Sequence, residues 1–165
     1  MKAYLDIETS FSGEITIIGI FCPPERLVQL IGEEVNWTNL WNALDGVTSI
    51  TTYNGNRFDL PVIRRCLKLD LNKYFECHDL MYACWQRNLF GGLKKVEEQM
   101  GIERVSKGIN GLDAMRLWEC CRLYGDESAL RALLEYNRED VVNLWSLEGR
   151  LEKIAPVKKG KKGRG

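Results

Sequence analysis

The sequence predicts an α/β domain: a mixed sheet of about five strands flanked by helices. Three observations predict it. Short β-branched and apolar runs crowd the first half of the chain, and helical periodicity fills the second. A single strand–helix–strand switch lies between them. That order suits an antiparallel meander on one side of a sheet and parallel strands on the other.

The elements follow in order. Residues 2–7 read as a strand, and residues 15–21 as a buried one. The short turn between them, Thr9-Ser10-Phe11-Ser12-Gly13, makes the pair a hairpin. After the break at Pro23-Pro24, residues 26–31 form the third strand of the meander. Residues 36–44 fit a short helix, with Trp37, Leu40, Trp41 and Leu44 on one face, which places the aromatic pair in the core. Residues 47–53 are a β-branched strand. Residues 59–69 turn helical, with Pro61 tolerated in the first turn. Residues 77–82 start as a strand and lead into a helix. Helices then cover residues 93–100, ending at Gly101, and residues 112–124, ending at Gly125. A long helical pattern runs from Asp126 or Ser128 to about Ile154, with one break expected near Tyr136. No internal repeat appears, and no linker precedes residue 155. The expected organisation is one domain over 1–155 and a basic, disordered tail over 156–165.

Composition narrows the function classes. The chain has 165 residues, 45% of them hydrophobic, enough for one domain with a sizeable core. No apolar run approaches the roughly 20 residues that span a bilayer. The N-terminus enters a strand directly without a signal region, so a cytoplasmic location is expected. Six cysteines are present, none spaced as CxxC, and all read as reduced structural thiols. Basic and acidic residues balance at 23 each, but unevenly. The tail holds Lys158, Lys159, Lys161, Lys162 and Arg164, which leaves residues 1–157 with 18 basic and 23 acidic groups, a net of −5. An acidic body suits divalent cations. The tail is either a salt-sensitive phosphate contact or a solubilising end.

Three clusters carry candidate chemistry. Asp6-Ile7-Glu8 closes the first strand, where side chains at i and i+2 point the same way, so both carboxylates share a face with Tyr4. Such a pair repels itself unless a cation lies between. Tyr53-Asn54-Gly55-Asn56-Arg57-Phe58-Asp59 spans a strand end and a helix start, where Asn54-Gly55 signals a turn and Asp59 also suits a helix N-cap. Tyr136 and Asp140 share a helix face at i and i+4, with Asn143 beside them. Each alone reads blandly: a solvated strand end, a cap, an amphipathic helix. Together they bring four carboxylates to one edge of an α/β sheet, the place where such sheets bind ligands. Hard divalent cations favour these oxygen donors. Two cations about 3.5–4 Å apart clamp the attacking and leaving oxygens of a phosphodiester. The one histidine, His78, lies outside all three clusters, so Tyr136 is the better candidate to position a water.

The ordered set Asp6-Ile7-Glu8-Thr9, then 53–59, then Tyr136 with Asp140, resembles the three exonuclease motifs of the DEDD nucleases, which have the ribonuclease H-like three-layer fold. The Tyr-x-x-x-Asp spacing is similar to the DEDDy branch, and the middle cluster to the proofreading domains of family B DNA polymerases. The layout is closer to the YprB-like group of predicted exonucleases, including a Gly-Asp pair before the last helix, here Gly125-Asp126. The resemblance covers residues 1 to about 150. It implies a 3′→5′ exonuclease acting on DNA or RNA, single-stranded or with a free 3′ end, through two divalent cations, Mg²⁺ or Mn²⁺. It implies that Asp6, Glu8 and Asp140 bind one metal and that Asp6 holds the other, with Asp59 binding it directly or through water. It implies that Tyr136 orients the water, that Thr9 and the turn after it approach the terminal nucleotide, and that Asn54 and Phe58 help shape its pocket. An endoribonuclease or structure-specific nuclease on this fold is the alternative enzyme. A nucleic-acid-binding module without catalysis is the alternative of another class.

Overall fold

The computed structural model describes residues 1–157. The basic cluster from Lys158 onward, and the expectation that it is disordered, lie outside the described residues. Five strands form one mixed sheet in the order β3-β2-β1-β4-β5. Strand β1 is Lys2–Thr9, β2 Ile15–Cys22, β3 Arg26–Ile31, β4 Ser49–Thr52 and β5 Glu76–Asp79. The β1–β2 and β2–β3 pairs are antiparallel, and β1–β4 and β4–β5 are parallel.

Helices cover both faces, which explains why every residue of β2 is buried. On one face, α1 (Trp37–Ala43) and α2 (Asp59–Leu67) pack Leu40, Leu60 and Ile63 against Ala3, Leu5 and Ile50. On the other lie α3 (Leu80–Trp85), α4 (Leu93–Gln99), α5 (Gly111–Tyr124) and α6 (Glu127–Leu151). There Val141, Leu144 and Leu147 of α6 meet Tyr4 and Phe21. Alternation along β1 thus sends Leu5 to one layer and Tyr4, with Asp6 and Glu8, to the other.

Two expectations are corrected. Helix α6 runs 25 residues without a break at Tyr136. Its apolar stripe continues through Leu133, Val141 and Leu147, and buried Asn137 finds side-chain partners, so nothing interrupts the backbone. Trp37 and Trp41 are not core residues: they are 59% and 41% exposed. A helix of only 7 residues needs a narrow apolar stripe, and Leu40, Ala43 and Leu44 fill it. Trp41 packs instead at the rim, edge-on to Tyr74.

Local signals set the helix ends. Asn36, Asp79, Asn110 and Asp126 cap α1, α3, α5 and α6 by accepting first-turn N–H groups. Gly125 is left-handed at the end of α5 (φ 65°), so Gly125-Asp126 stops one helix and starts the next. All six cysteines are free thiols. No helix among the described residues is long and apolar enough to cross a membrane.

One close approach locks α6 onto the sheet. A Cβ on Gly19 of β2 would lie 2.3 Å from Asn137 Oδ1. That oxygen is held by Gln29 Nε2 at 3.0 Å, and Asn137 is wholly buried. Gly19→Ala is therefore expected to destabilise the fold by about 1–3 kcal/mol, the usual cost of overpacking. The midpoint of urea unfolding measures it; an unchanged midpoint would mean that α6 shifts freely away from β2.

Candidate functional site

The site begins where β1 outruns its parallel neighbour. The β1–β4 register pairs Tyr4 with Thr51, and β4 stops at Thr52, so the end of β1 projects past it. The Ile7 N–H consequently lacks a strand partner on that side. It donates to Asp59 Oδ1 at 3.0 Å instead. Asp59 is not the N-cap that its position suggests, because Phe58 holds the cap place and Asp59 opens α2. One of its two oxygens is spent on β1, which brings Asp59 near enough for its charge to act on Asp6 but not into the group formed by Asp6, Glu8 and Asp140.

Helix α6 crosses the same edge. It contributes Tyr136 and Asp140, and between them Asn137, whose Nδ2 donates to Asp6 Oδ2 at 3.3 Å. Asp6, Glu8 and Asp140 each present a ligand atom within 4.8 Å of the others. Glu8 Oε1 is buried without any hydrogen-bond partner. A buried oxygen left unpaired between two other carboxylates is what a bound cation would satisfy. The donor set is oxygen only, which suits Mg²⁺ or Mn²⁺ over softer metals. The residues present therefore fit a divalent ion.

Electrostatics report the same crowding. Burial, and then the charges of Asp140, Asp59 and Glu8, hold the Asp6 carboxyl well above the ordinary carboxylate range. Burial and Asp140 do the same to Glu8. Burial raises Asp59 to about 7, although the Ile7 N–H opposes it. Burial raises Asp140 to about 6, although Arg104 opposes it.

Arg104 was not singled out in the sequence, yet it is central. Its guanidinium, only 8% exposed, meets Glu97 at 2.9 Å, Asp140 at 2.5 Å and Glu139 at 3.8 Å. Glu139 in turn accepts the Val105 and Ser106 N–H groups, which pins the loop carrying Arg104 to α6. Burial raises Glu139, but these bonds and the Ser106 hydroxyl bring its carboxyl below the usual range. Lys94 was also missed. Its ammonium donates to Tyr136 Oη at 2.9 Å, sits 4.1 Å from that ring's centroid, and is held by the Ile109 carbonyl. Burial lowers the Lys94 ammonium and raises the Tyr136 phenol. No periodicity or spacing marks Arg104, and Lys94 reads as one lysine of a solvated helix.

Two clefts meet at the carboxylates. A narrow one of about 180 Å³ is lined by Asp6, Glu8, Thr9, Phe58, Tyr136 and Asp140 among others. A wider one of about 420 Å³ shares Asp6, Tyr136 and Asp140 and extends over Tyr53, Lys94 and Lys95. Asn54 borders neither. It takes a left-handed conformation (φ 60°), and its N–H donates to Asp79 Oδ1 at 2.7 Å, so it shapes the turn. His78 lies on edge strand β5 beside Glu76, outside both clefts.

A family model described as RNase_H superfamily matches residues 3–152. The chain belongs to the RNase H superfamily. Nucleases of this superfamily hydrolyse nucleic acid with divalent metals, and the acidic cluster of this RNase H-like domain could bind one. No curated protein matches the chain.

Two outcomes follow. Arg104→Gln leaves Glu97 and Asp140 buried without their counter-charge, and breaking such a pair costs roughly 3–5 kcal/mol. Thermal unfolding in EDTA should show a large drop in Tm; a loss under 1 kcal/mol would mean that the cage is not stabilising. The pH response has a definite sign. Asp59 and Asp140 bind protons more tightly folded (about 7 and about 6) than in the unfolded chain, where the value is about 4. Between those values the folded state holds more protons, so metal-free stability falls as pH rises from about 4 to about 7. Added Mg²⁺ should offset that loss, since ligation takes the ionised carboxylates. A Tm in EDTA that rises across this window would contradict the geometry.

Proposed function

We propose that this chain is a metal-dependent 3′→5′ exonuclease acting on single-stranded DNA or RNA. The observation that carries the reading is the convergence of Asp6, Glu8 and Asp140 within 4.8 Å, beside Tyr136, in a narrow cleft. Asp6, Glu8 and Asp140 would hold one divalent cation, and Asp6 with Asp59 a second. Cations bound there would make the attacking water more acidic and offset the charge that builds on the phosphodiester.

The chain's own groups do the rest. Tyr136 Oη accepts a hydrogen bond from Lys94, which leaves the phenol proton free to point at an attacking water. Asn137 fixes Asp6, and Arg104 fixes Asp140, so the carboxylates are held before substrate arrives. Thr9 and Phe58 border the narrow cleft and would receive the terminal nucleotide, with Phe58, 43% exposed, as a stacking face. Asn54 contributes through the turn that presents Phe58 and Asp59. Two clefts sharing the carboxylates suit a chain end in one and the preceding nucleotide in the other.

End-labelled single-stranded DNA and RNA, incubated with Mg²⁺, Mn²⁺ or EDTA, test this. Metal-dependent laddering from the 3′ end is expected, and internal cuts would replace the exonuclease with an endonuclease. Asp6→Ala and Asp140→Ala should each lower kcat about a thousandfold or more, as loss of a metal that stabilises developing charge would. Tyr136→Phe should lower kcat about a hundredfold with metal dependence unchanged. Full turnover in Tyr136→Phe would remove the phenol from the mechanism.

A further inference from the structure

One long stretch within residues 1–157, whose net charge is −5, holds no acid. Residues 80–96 contain Arg87, Lys94 and Lys95, with Tyr82, Trp85 and Phe90, and neither Asp nor Glu. The neighbouring loop 53–58 adds Arg57 and Phe58, again without an acid. Tyr82, Trp85 and Phe90 are 37%, 36% and 55% exposed. Two of these rings are held rather than loose. Trp85 meets Tyr82 edge-on, at 5.4 Å between centroids and 88° between planes. The Arg57 guanidinium stands 5.7 Å from the Trp85 ring centroid. Arg87 is spent on structure: its Nε donates to the Leu151 and Ile154 carbonyls and ties the end of α3 to α6.

Both segments reach the carboxylate clefts. Lys95 and Tyr53 line the wider cleft that reaches Asp6 and Asp140. Phe58, next to Arg57 in the chain, lines the narrow one. Fixed aromatic faces beside exposed cations complement a polyanion whose bases are unpaired. A paired duplex hides the base faces that such rings would stack on.

We propose that Arg57, Tyr82, Trp85 and Lys95 form a track on which single-stranded nucleic acid leaves the carboxylate site, with a base stacked on Trp85 and phosphates facing Arg57 and Lys95. The track rests on the nuclease reading of that site and adds where the rest of the substrate lies. It makes affinity depend on length: a strand confined to the clefts gains nothing from Trp85, whereas a longer one does.

Fluorescence anisotropy in EDTA, where hydrolysis is absent, tests the track separately from catalysis. The probes are labelled single strands of about 3 and about 12 nucleotides, chosen to fall short of and to cover a typical single-strand site. Trp85→Ala should weaken the longer strand about tenfold, in line with loss of one stacked base, and leave the shorter one unchanged. Trp85→Tyr should restore most of it. Arg57→Ala with Lys95→Ala should flatten the salt dependence by roughly 1.4 in log–log slope, as loss of two phosphate contacts on a single strand predicts. Trp37→Ala, at the exposed rim on the other face of the sheet, serves as the control and should change nothing. Equal affinity of Trp85→Ala for the longer strand overturns the track, as does preference for a duplex or no binding of either strand. If the longer strand binds through Trp85 but no metal supports cleavage, the track stands and the nuclease reading falls. If cleavage proceeds with the same KM in Trp85→Ala, the nuclease stands and the track falls.

Discussion

The constraint that the rest of this structure answers to is the crowding of negative charge at one sheet edge. Asp6, Glu8 and Asp140 lie within 4.8 Å of one another, and Asp59 is tied to the same strand. Like charges this close, and this far out of water, cannot all stay ionised without a counter-charge. Arg104 supplies one on the protein's side, and divalent cations would supply the rest. Carboxyl groups crowded and buried in this way cluster at functional sites.

The fold creates that edge by a mismatch of strand lengths. Strand β1 continues past β4, so the end of β1 carries Asp6 and Glu8 beyond the ladder and leaves the Ile7 N–H for Asp59. Unbroken α6 then lays Tyr136, Asn137 and Asp140 over the overhang. Gly19 keeps that crossing close, because any side chain there would displace Asn137, the residue that steadies Asp6. Core packing and site geometry are therefore one problem, and a change on β2 is felt at the carboxylates.

The charged groups around the cluster divide their labour. Arg104 is caged by Glu97, Glu139 and Asp140 and fixes a backbone loop against α6. Lys94 holds the phenol of Tyr136. Lys95 and Arg57 remain exposed, Arg57 beside the Trp85 ring and Lys95 at the wider cleft. Positive charge thus goes inward to brace the acidic cluster and outward beside exposed aromatic rings.

The α/β class, nearly every element and the three clusters that the sheet edge collects are legible in the residues alone. Period-2 alternation put Asp6 and Glu8 on one face, and i, i+4 spacing put Tyr136 with Asp140, because both patterns are local. What depends on contacts distant in sequence emerges from the packing of the elements. Asp59 reads as a cap until the short β4 leaves Ile7 unpaired, 52 residues away. Arg104 sits in an irregular loop, where no period reveals that it will meet Glu97 and Asp140. Trp37 and Trp41 follow a core-like spacing, but Leu40 and its neighbours already fill the stripe, so the rings stay at the rim. Local patterns fix which way a side chain points along its own element; which charges and surfaces it finds there is set by where the other elements pack.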